Sequence, residues 1–187
     1  EKGVPSSQEA IKGALDIIAE DLSDNADYRK NIRRLTYMNG FLTSKVTKNE
    51  NVVYQMYYEF SEPVKTVADH RILAIDRGEK EEVLSVKIDI ESEIITNYLF
   101  KEVLKDNSAL SSLVTSAVED SYKRLIAPSI ENEIRSSLTE RAQNGAIGLF
   151  SVNLKNLLMT PPVKGYTVLG VDPGYRTGCK LAVVDST

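Results

Sequence analysis

Cysteine and histidine are nearly absent from this chain of 187 residues, which contains one of each, Cys179 and His70. A single cysteine cannot form an internal disulfide, and a lone thiol is typical of a reducing compartment. No second histidine or cysteine stands at zinc-ligand spacing, and no serine or cysteine has a histidine at the spacing of a catalytic triad. We therefore predict no metal and no cofactor, and we interpret His70 as a side chain at the start of a helix.

Long apolar runs and nucleotide-binding motifs are missing as well. No apolar run approaches the roughly 18–20 residues that cross a membrane. The N-terminus has neither an initiator methionine nor a signal-peptide pattern. Neither the phosphate-loop pattern G-x-x-x-x-G-K-S/T nor G-x-G-x-x-G occurs, so the sequence gives no support to nucleotide hydrolysis. We expect a cytoplasmic chain that does not enter a membrane.

The sequence also lacks an excess of positive charge, since 23 basic residues stand against 27 acidic ones and the formal net charge is −4. Any contact with nucleic acid must therefore come from a local basic patch and not from the overall charge. The hydrophobic content of 42% is sufficient for a buried core, and the length allows one or two domains.

Helical patterns dominate the N-terminal part of the chain. Ser6 and Glu9 have the spacing of a capping box ahead of the first periodic apolar segment. A second helix is predicted over residues 26–38, where Gly40 provides a natural end. A short extended segment over residues 41–46 is expected to follow this helix.

The middle of the chain mixes short elements. The Ser-Glu-Pro sequence at residues 61–63 predicts a turn, and Asp69 is expected to cap a short helix that runs through Ile75 and is closed by Gly78. Apolar and polar residues then alternate over residues 84–90, which is the pattern of a half-buried strand. No partner for this strand is evident nearby in the sequence.

A long helical region precedes the C-terminal segment. One helix is predicted over residues 108–126, and Pro128 starts the next helix, where the missing N–H costs nothing. An apolar stripe from Ile130 to Leu157 predicts that this second helix packs on the first. About 30 residues at about 1.5 Å each give a rod of about 45 Å. Pro161 ends the rod and marks a domain boundary.

The C-terminal hairpin carries the most informative chemistry. An apolar strand ends on Asp172, a loop containing proline and glycine carries Arg176, and a second apolar strand begins at Cys179. We expect Asp172 to lie near Cys179, in central strands that are covered on both faces. Such a loop is able to take phosphate, although Asp172 can also simply cap the turn. Asp185 would lie roughly 20 Å from Asp172 at about 3.3 Å per residue, so the two carboxylates cannot share a metal.

Basic residues on and after the second helix form a local positive patch. Because the net charge of the chain is negative, contact with nucleic acid would depend on such a patch. With the loop residue Arg176 added, the predicted nucleic-acid contacts are Arg29, Lys30, Arg33, Arg34, Lys45, Lys48 and Arg176. A helix followed by an extended segment suits winged-helix recognition, and an ordinary solvated helix face is the alternative. Tyr54, Tyr57 and Tyr58 have helical spacing, and they either stack on bases or pack in a core.

Four segments resemble the bacterial Tex family of transcription accessory proteins, and the similarity extends over nearly all of the chain. They are ALDIIAEDLSDNADYRKNIRR (14–34), EPVKTVADHRILAIDRGEKEEVLSV (62–86), YKRLIAPSIENEIRSSL (122–138) and VLGVDPGYRTGCKLAVVD (168–185). The family is related in architecture to a eukaryotic transcription-elongation factor that also acts as a histone chaperone.

The resemblance implies a mainly α fold class, with helical N-terminal and central regions, a small β element and the first β-hairpin of an RNase H-like (YqgF) domain. It implies a helix-turn-helix-like region over 1–62, a central region with a long helix over 63–162, and the truncated start of the YqgF/RuvC-like domain over 163–187. Helix-hairpin-helix motifs and an S1 RNA-binding domain follow in that family, so we expect a fragment. Asp172 matches the first-strand acid of RuvC-like nucleases.

We therefore predict a nonenzymatic helical scaffold of a Tex-like transcription accessory protein, which binds RNA or other single-stranded or duplex nucleic acid weakly. Two other classes stay open. One is a metal-dependent nuclease whose first acid is Asp172, which would need further acids at RNase H-fold positions. The other is a protein-binding helical module that contacts polymerase or ribosome through the tyrosine-rich region. A steep negative dependence of affinity on salt would favour nucleic acid over a protein partner.

Overall fold

Helices account for most of the described residues, so the chain is mainly α, as predicted. The computed structural model describes residue 3 and residues 6–48, 51–104, 111–161, 164–174, 176 and 178–185. Its α-helices are α1 (Ser7–Asp24), α2 (Ala26–Asn39), α3 (Asp69–Lys80), α4 (Ser92–Val103), α5 (Ser111–Asp120) and α6 (Ala127–Leu158). Its strands are β1 (Phe41–Val46), β2 (Glu59–Pro63), β3 (Leu84–Asp89), β4 (Val168–Asp172) and β5 (Lys180–Val184). A 3₁₀ helix (Val52–Tyr57) precedes β2, and a π-helical segment (Ser121–Ile126) joins α5 to α6.

Side-chain caps set the boundaries of the first two helices. The Ser6 hydroxyl accepts a hydrogen bond from the Glu9 backbone N–H at 3.3 Å, as the capping-box spacing predicted. Asn25 separates α1 from α2, and its side-chain oxygen accepts the N–H groups of Asp27 and Tyr28 at 3.0 Å each. These caps fix the residues at which α1 and α2 begin.

A three-stranded antiparallel sheet has the strand order β2-β1-β3. Thr43 on the central strand lies opposite Ser61 on one side and Lys87 on the other. The prediction of a turn at residues 61–63 is therefore wrong, because these residues complete β2. The partner of β3 is β1, about forty residues earlier, a pairing that alternation within one strand does not reveal.

One hydrophobic core joins the inner face of this sheet to the helices around it. Gly78, which was predicted to end a helix, is instead buried inside α3. A Cβ at Gly78 would lie 2.6 Å from Leu84 Cδ1, so the glycine permits close approach of α3 and β3. Asp69 does not cap α3, whose N-cap is Ala68; the Asp69 carboxylate accepts a hydrogen bond from Arg141 at 2.9 Å.

The first half of α6 is fixed to the sheet and to α3 by partly buried polar contacts. They include Glu131 Oε1 accepting from the Ile88 N–H at 3.0 Å, Thr139 donating to Asp76 at 2.7 Å, and Arg135 paired with Glu79. The hydrogen bonds of Arg135 with Glu79, followed by the nearby carboxylate charges, raise the pKa of Arg135 above its ordinary value. These contacts place α6 against α3 and β3, whereas the sequence predicted the 108–126 helix as its partner.

The π-helical segment leads from α5 into α6, which begins at Ala127, so Pro128 lies in the first turn of α6, as predicted, with helical backbone preceding it. Within this segment the buried Ser121 hydroxyl donates a hydrogen bond of 2.7 Å to the Ala19 carbonyl of α1. Tyr122, the next residue, is buried, and its burial raises the pKa of its phenol. The segment therefore packs against α1.

The apolar stripe of α6 is buried only in its first half. Ile130, Ile134, Leu138 and Ala142 are all at most 3% exposed. Leu157, which the sequence placed on the same stripe, is 71% exposed. The predicted stripe is therefore correct as far as Ala142 and wrong beyond it.

The chain divides into two compact units, Glu1–Ile147 and Gly148–Thr187. Residue 62 lies inside β2, which pairs with β1, so the small sheet includes residues on both sides of the predicted boundary at residue 62. The predicted domain boundaries at residues 62 and 162 stay predictions. In the second unit, β4 and β5 form an antiparallel pair in which Asp172 lies opposite Lys180. Cys179 is adjacent to Lys180, so Asp172 lies near it, as expected, whereas both faces of the hairpin are exposed and not covered as predicted.

Candidate nucleic-acid interface

Helix α2 presents four basic side chains because its apolar residues occupy the opposite side. Ile32 is completely buried in the core, and Thr36, one turn later, is 5% exposed. The cations at positions 29, 30, 33 and 34 therefore project away from the core or lie along its boundary. The structure separates them into two pairs with different surroundings.

Arg29 and Arg33 form the first pair, and both bind Glu133 of α6. Arg29 Nη2 lies 2.8 Å from Glu133 Oε1, and Arg33 Nε lies 2.7 Å from Glu133 Oε2. Arg29 also donates to the Ser129 hydroxyl and, at 3.2 Å, to the Ser23 carbonyl at the end of α1. Arg29 therefore connects α1, α2 and α6, and its side chain is only 24% exposed.

The hydrogen bond from Arg29, together with the one from Arg33, holds the pKa of Glu133 below its ordinary value. Glu133 is therefore a carboxylate at neutral pH, and it offsets part of the positive charge of both arginines. Sequence reasoning missed this residue, because Glu133 stands about a hundred positions from its partners and local periodicity carries no signal for such a pairing.

Lys30 and Arg34 form the second pair, and both are exposed. Within the described part of the chain, neither makes a side-chain hydrogen bond or an ion pair. They border a hollow of about 300 Å³ between α2 and α6, which we call the α2–α6 hollow. Its lining consists of Lys30, Arg33, Arg34, Tyr37, Glu133, Ile134 and Ser137.

Lys45 and Lys48 lie apart from this hollow, on β1 and just after it, and both are exposed. The open face of the sheet adds Lys87 on β3, which sequence reasoning did not single out. This face is mixed in charge, because Asp89 also lies on it and accepts a hydrogen bond of 3.0 Å from Thr43. The open face of the sheet therefore carries charges of both signs.

The tyrosines around the 3₁₀ helix belong to the core. Tyr54 and Tyr57 are 4% and 7% exposed, so their rings are not available to stack on bases. Tyr57 packs edge-on against Phe60 with ring centroids 5.6 Å apart, and its carbonyl accepts a hydrogen bond of 2.6 Å from Ser44. Of the two alternatives that the sequence left open, the core alternative is correct for Tyr54 and Tyr57.

The hairpin of the second unit places its polar residues in solvent. Lys180 Nζ lies 3.9 Å from Asp172 Oδ2, and both side chains are at least 75% exposed, so this pair contributes little stability. Arg176 and Cys179 are exposed, and His70 is an exposed residue in the first turn of α3, as predicted. Among the described residues, no three acidic, histidine or cysteine side chains are grouped as metal ligands.

A family model described as Tex central region-like matches residues 1–150 of the chain. This range includes helices α1 to α5, the three-stranded sheet and α6 as far as residue 150. The chain belongs to the Tex family. No helix in the described part of the chain is both long enough and apolar enough to cross a membrane.

Named relatives match the full length of the chain. It is 50% identical to the uncharacterized protein YdcI of Bacillus subtilis and covers 27% of that protein. It is 32% identical to protein tex of Bordetella pertussis, covering 26% of it, and 32% identical to the human S1 RNA-binding domain-containing protein 1, covering 20%. The chain thus spans about a quarter or less of the length of these relatives.

Proposed function

We propose that this chain is a nonenzymatic, helix-rich scaffold of a cytoplasmic transcription accessory protein and that it contacts RNA through α2. The observation that carries the proposal is the pair Lys30 and Arg34, which are exposed and make no ion pair within the described residues. Such cations neutralise phosphates and release their counterions. The printed names of two relatives, the transcriptional accessory protein Tex of Neisseria gonorrhoeae and the human S1 RNA-binding domain-containing protein 1, support the same direction.

We further propose that the β4–β5 hairpin is the first hairpin of an RNase H-like domain of the YqgF type. Its support is the apolar character of both faces, for example Leu169 on one face and Val184 on the other, which are 58% and 63% exposed. Central strands of a larger sheet have such faces covered by helices. Asp172 stands at the end of β4, but a two-metal site needs several carboxylates, so we assign no catalysis to this chain.

A second candidate function is docking to a protein of the transcription or translation machinery. The observation that favours it is the apolar outer side of the 3₁₀ helix. Val52, Val53 and Met56 are 81%, 75% and 76% exposed there. Adjacent exposed apolar side chains of this kind are found at protein-binding surfaces. A partner held by these residues would bind with little dependence on salt.

The test is the salt dependence of RNA binding by the 187-residue chain. Fluorescence anisotropy with a labelled single-stranded RNA should give an affinity that falls as salt rises, with a slope of about −0.7 in log K against log salt per phosphate neutralised. Substituting Lys30 and Arg34 by glutamine should make this slope shallower. No detectable RNA binding at low salt would contradict the proposed function.

A further inference from the structure

We propose that the α2–α6 hollow is a binding site for one unpaired nucleotide of a single-stranded RNA. In this site Lys30 and Arg34 hold phosphate and the ring of Tyr37 stacks on the base. The inference rests on the proposed function and deepens it, because it assigns RNA contact to one place and one strand state. It also assigns RNA contact to fewer basic residues than the sequence predicted, because Arg29 does not line the hollow.

The charges around the hollow favour a phosphate. Three cations and one carboxylate line it, and that carboxylate, Glu133, is already held by Arg33 and by Arg29 from outside the lining. Lys30 and Arg34 lie one helical turn apart, about 6 Å along the axis at about 1.5 Å per residue. With no partner in the described part of the chain, they can approach a phosphate without breaking an existing ion pair.

The floor of the hollow favours a base. Ile134 is the apolar residue of the lining, and it is almost completely buried, at 3% exposed. Tyr37 follows Arg34 by three residues, so the two side chains are neighbours on α2, and the tyrosine is 37% exposed. An aromatic ring beside cations is the arrangement on which bases of single strands stack.

The size of the hollow favours single-stranded RNA over duplex RNA. Its volume of about 300 Å³ is at the lower end of the range for ligand sites. A base can enter such a hollow only if it is unpaired and unstacked from its neighbours, because paired bases in a duplex are not free to leave the helix without cost. The site is therefore specific for single strands and tolerant of sequence, because every base presents a stacking face.

The experiment measures binding of a labelled oligouridine and of an RNA duplex of equal length to the 187-residue chain and its variants. Tyr37→Leu should weaken oligouridine binding about fivefold or more, which corresponds to about 1 kcal/mol or more of stacking, and should leave duplex binding unchanged. The double variant Lys30→Gln with Arg34→Gln should make the salt slope for oligouridine shallower by about 1.4. Tyr166→Leu is the aromatic control and Lys12→Gln with Lys101→Gln is the charge control; all three residues are exposed and lie outside the lining of the hollow.

A variant with the opposite expected sign separates binding from damage to the fold. Glu133→Gln removes the negative charge from the hollow and releases two arginines, so it should tighten oligouridine binding and make the salt slope steeper. If the Lys30 and Arg34 variant makes the salt slope shallower but Tyr37→Leu and Glu133→Gln behave like the controls, the hollow is not the site although the proposed function stands. If all three variants behave like the controls, RNA contact through α2 is wrong as well. If the chain binds no RNA, both the inference and the proposed function are wrong.

Discussion

Replacing Leu138 by alanine tests whether α6 is part of the core of the first unit. Leu138 is 3% exposed and belongs to the same buried cluster as Ile134 and Ala142, one turn away on either side. A buried leucine truncated to alanine costs about 2–5 kcal/mol, because transfer free energy is lost and a cavity remains. For a unit of about 150 residues, each kcal/mol lowers the unfolding midpoint by roughly 3 °C. The expected decrease is therefore about 6–15 °C.

The assay is thermal unfolding followed by circular dichroism, with Leu157→Ala as the matched control. Leu157 stands on the same helix, undergoes the same substitution and is 71% exposed, so its effect should stay within about 0.5 kcal/mol. Alanine is the best helix former, so neither variant weakens α6 through propensity. Equal shifts for the two variants, or a midpoint for Leu138→Ala that does not move, would refute the packing of α6 described above.

Two further expectations concern acid and metal. Because the folded-state pKa of Glu133 lies below its ordinary value of 4.5, its ion pairs contribute full stability above about pH 4.5 and lose it as the pH falls further. Urea unfolding of wild type and Glu133→Gln should therefore converge between pH 5 and pH 3, and a constant difference would contradict this role. Because Asp172 belongs to no group of three or more possible metal ligands in the described part of the chain, we expect no cleavage of RNA or DNA in Mg²⁺ or Mn²⁺. Cleavage that disappears in Asp172→Asn would overturn this expectation.

The elements that could be predicted from the sequence are those with local signals. Ser6 and Glu9 mark the start of α1, and Gly40 follows the last residue of α2, where its N–H donates to the Thr36 carbonyl at 2.8 Å. The strand over residues 41–46 was predicted with the bounds that the structure gives to β1. In each case the residues that decide the structure lie within a few positions of one another.

The elements that could not be predicted depend on distant neighbours. Gly78 lies in a helix because β3 comes close to it, and residues 61–63 form a strand because β1 pairs with them. Helix α4 was not predicted, and neither was the π-helical segment, whose buried Ser121 bonds to α1. The candidate site shows the same limit, since its basic residues were visible in the sequence but their division by Glu133 was not.

The central claim is that Glu133 binds Arg29 and Arg33, whereas Lys30 and Arg34 stay exposed to contact RNA. A comparison of two single variants tests this claim most directly. Unfolding free energy and affinity for single-stranded RNA would be measured for Arg29→Gln and Lys30→Gln under identical salt. Arg29 bonds to residues of α1 and α6, so Arg29→Gln should lower stability and leave affinity nearly unchanged. Lys30 has no partner in the described residues, so Lys30→Gln should lower affinity and leave stability nearly unchanged. Equal effects of the two variants on both quantities would contradict the account.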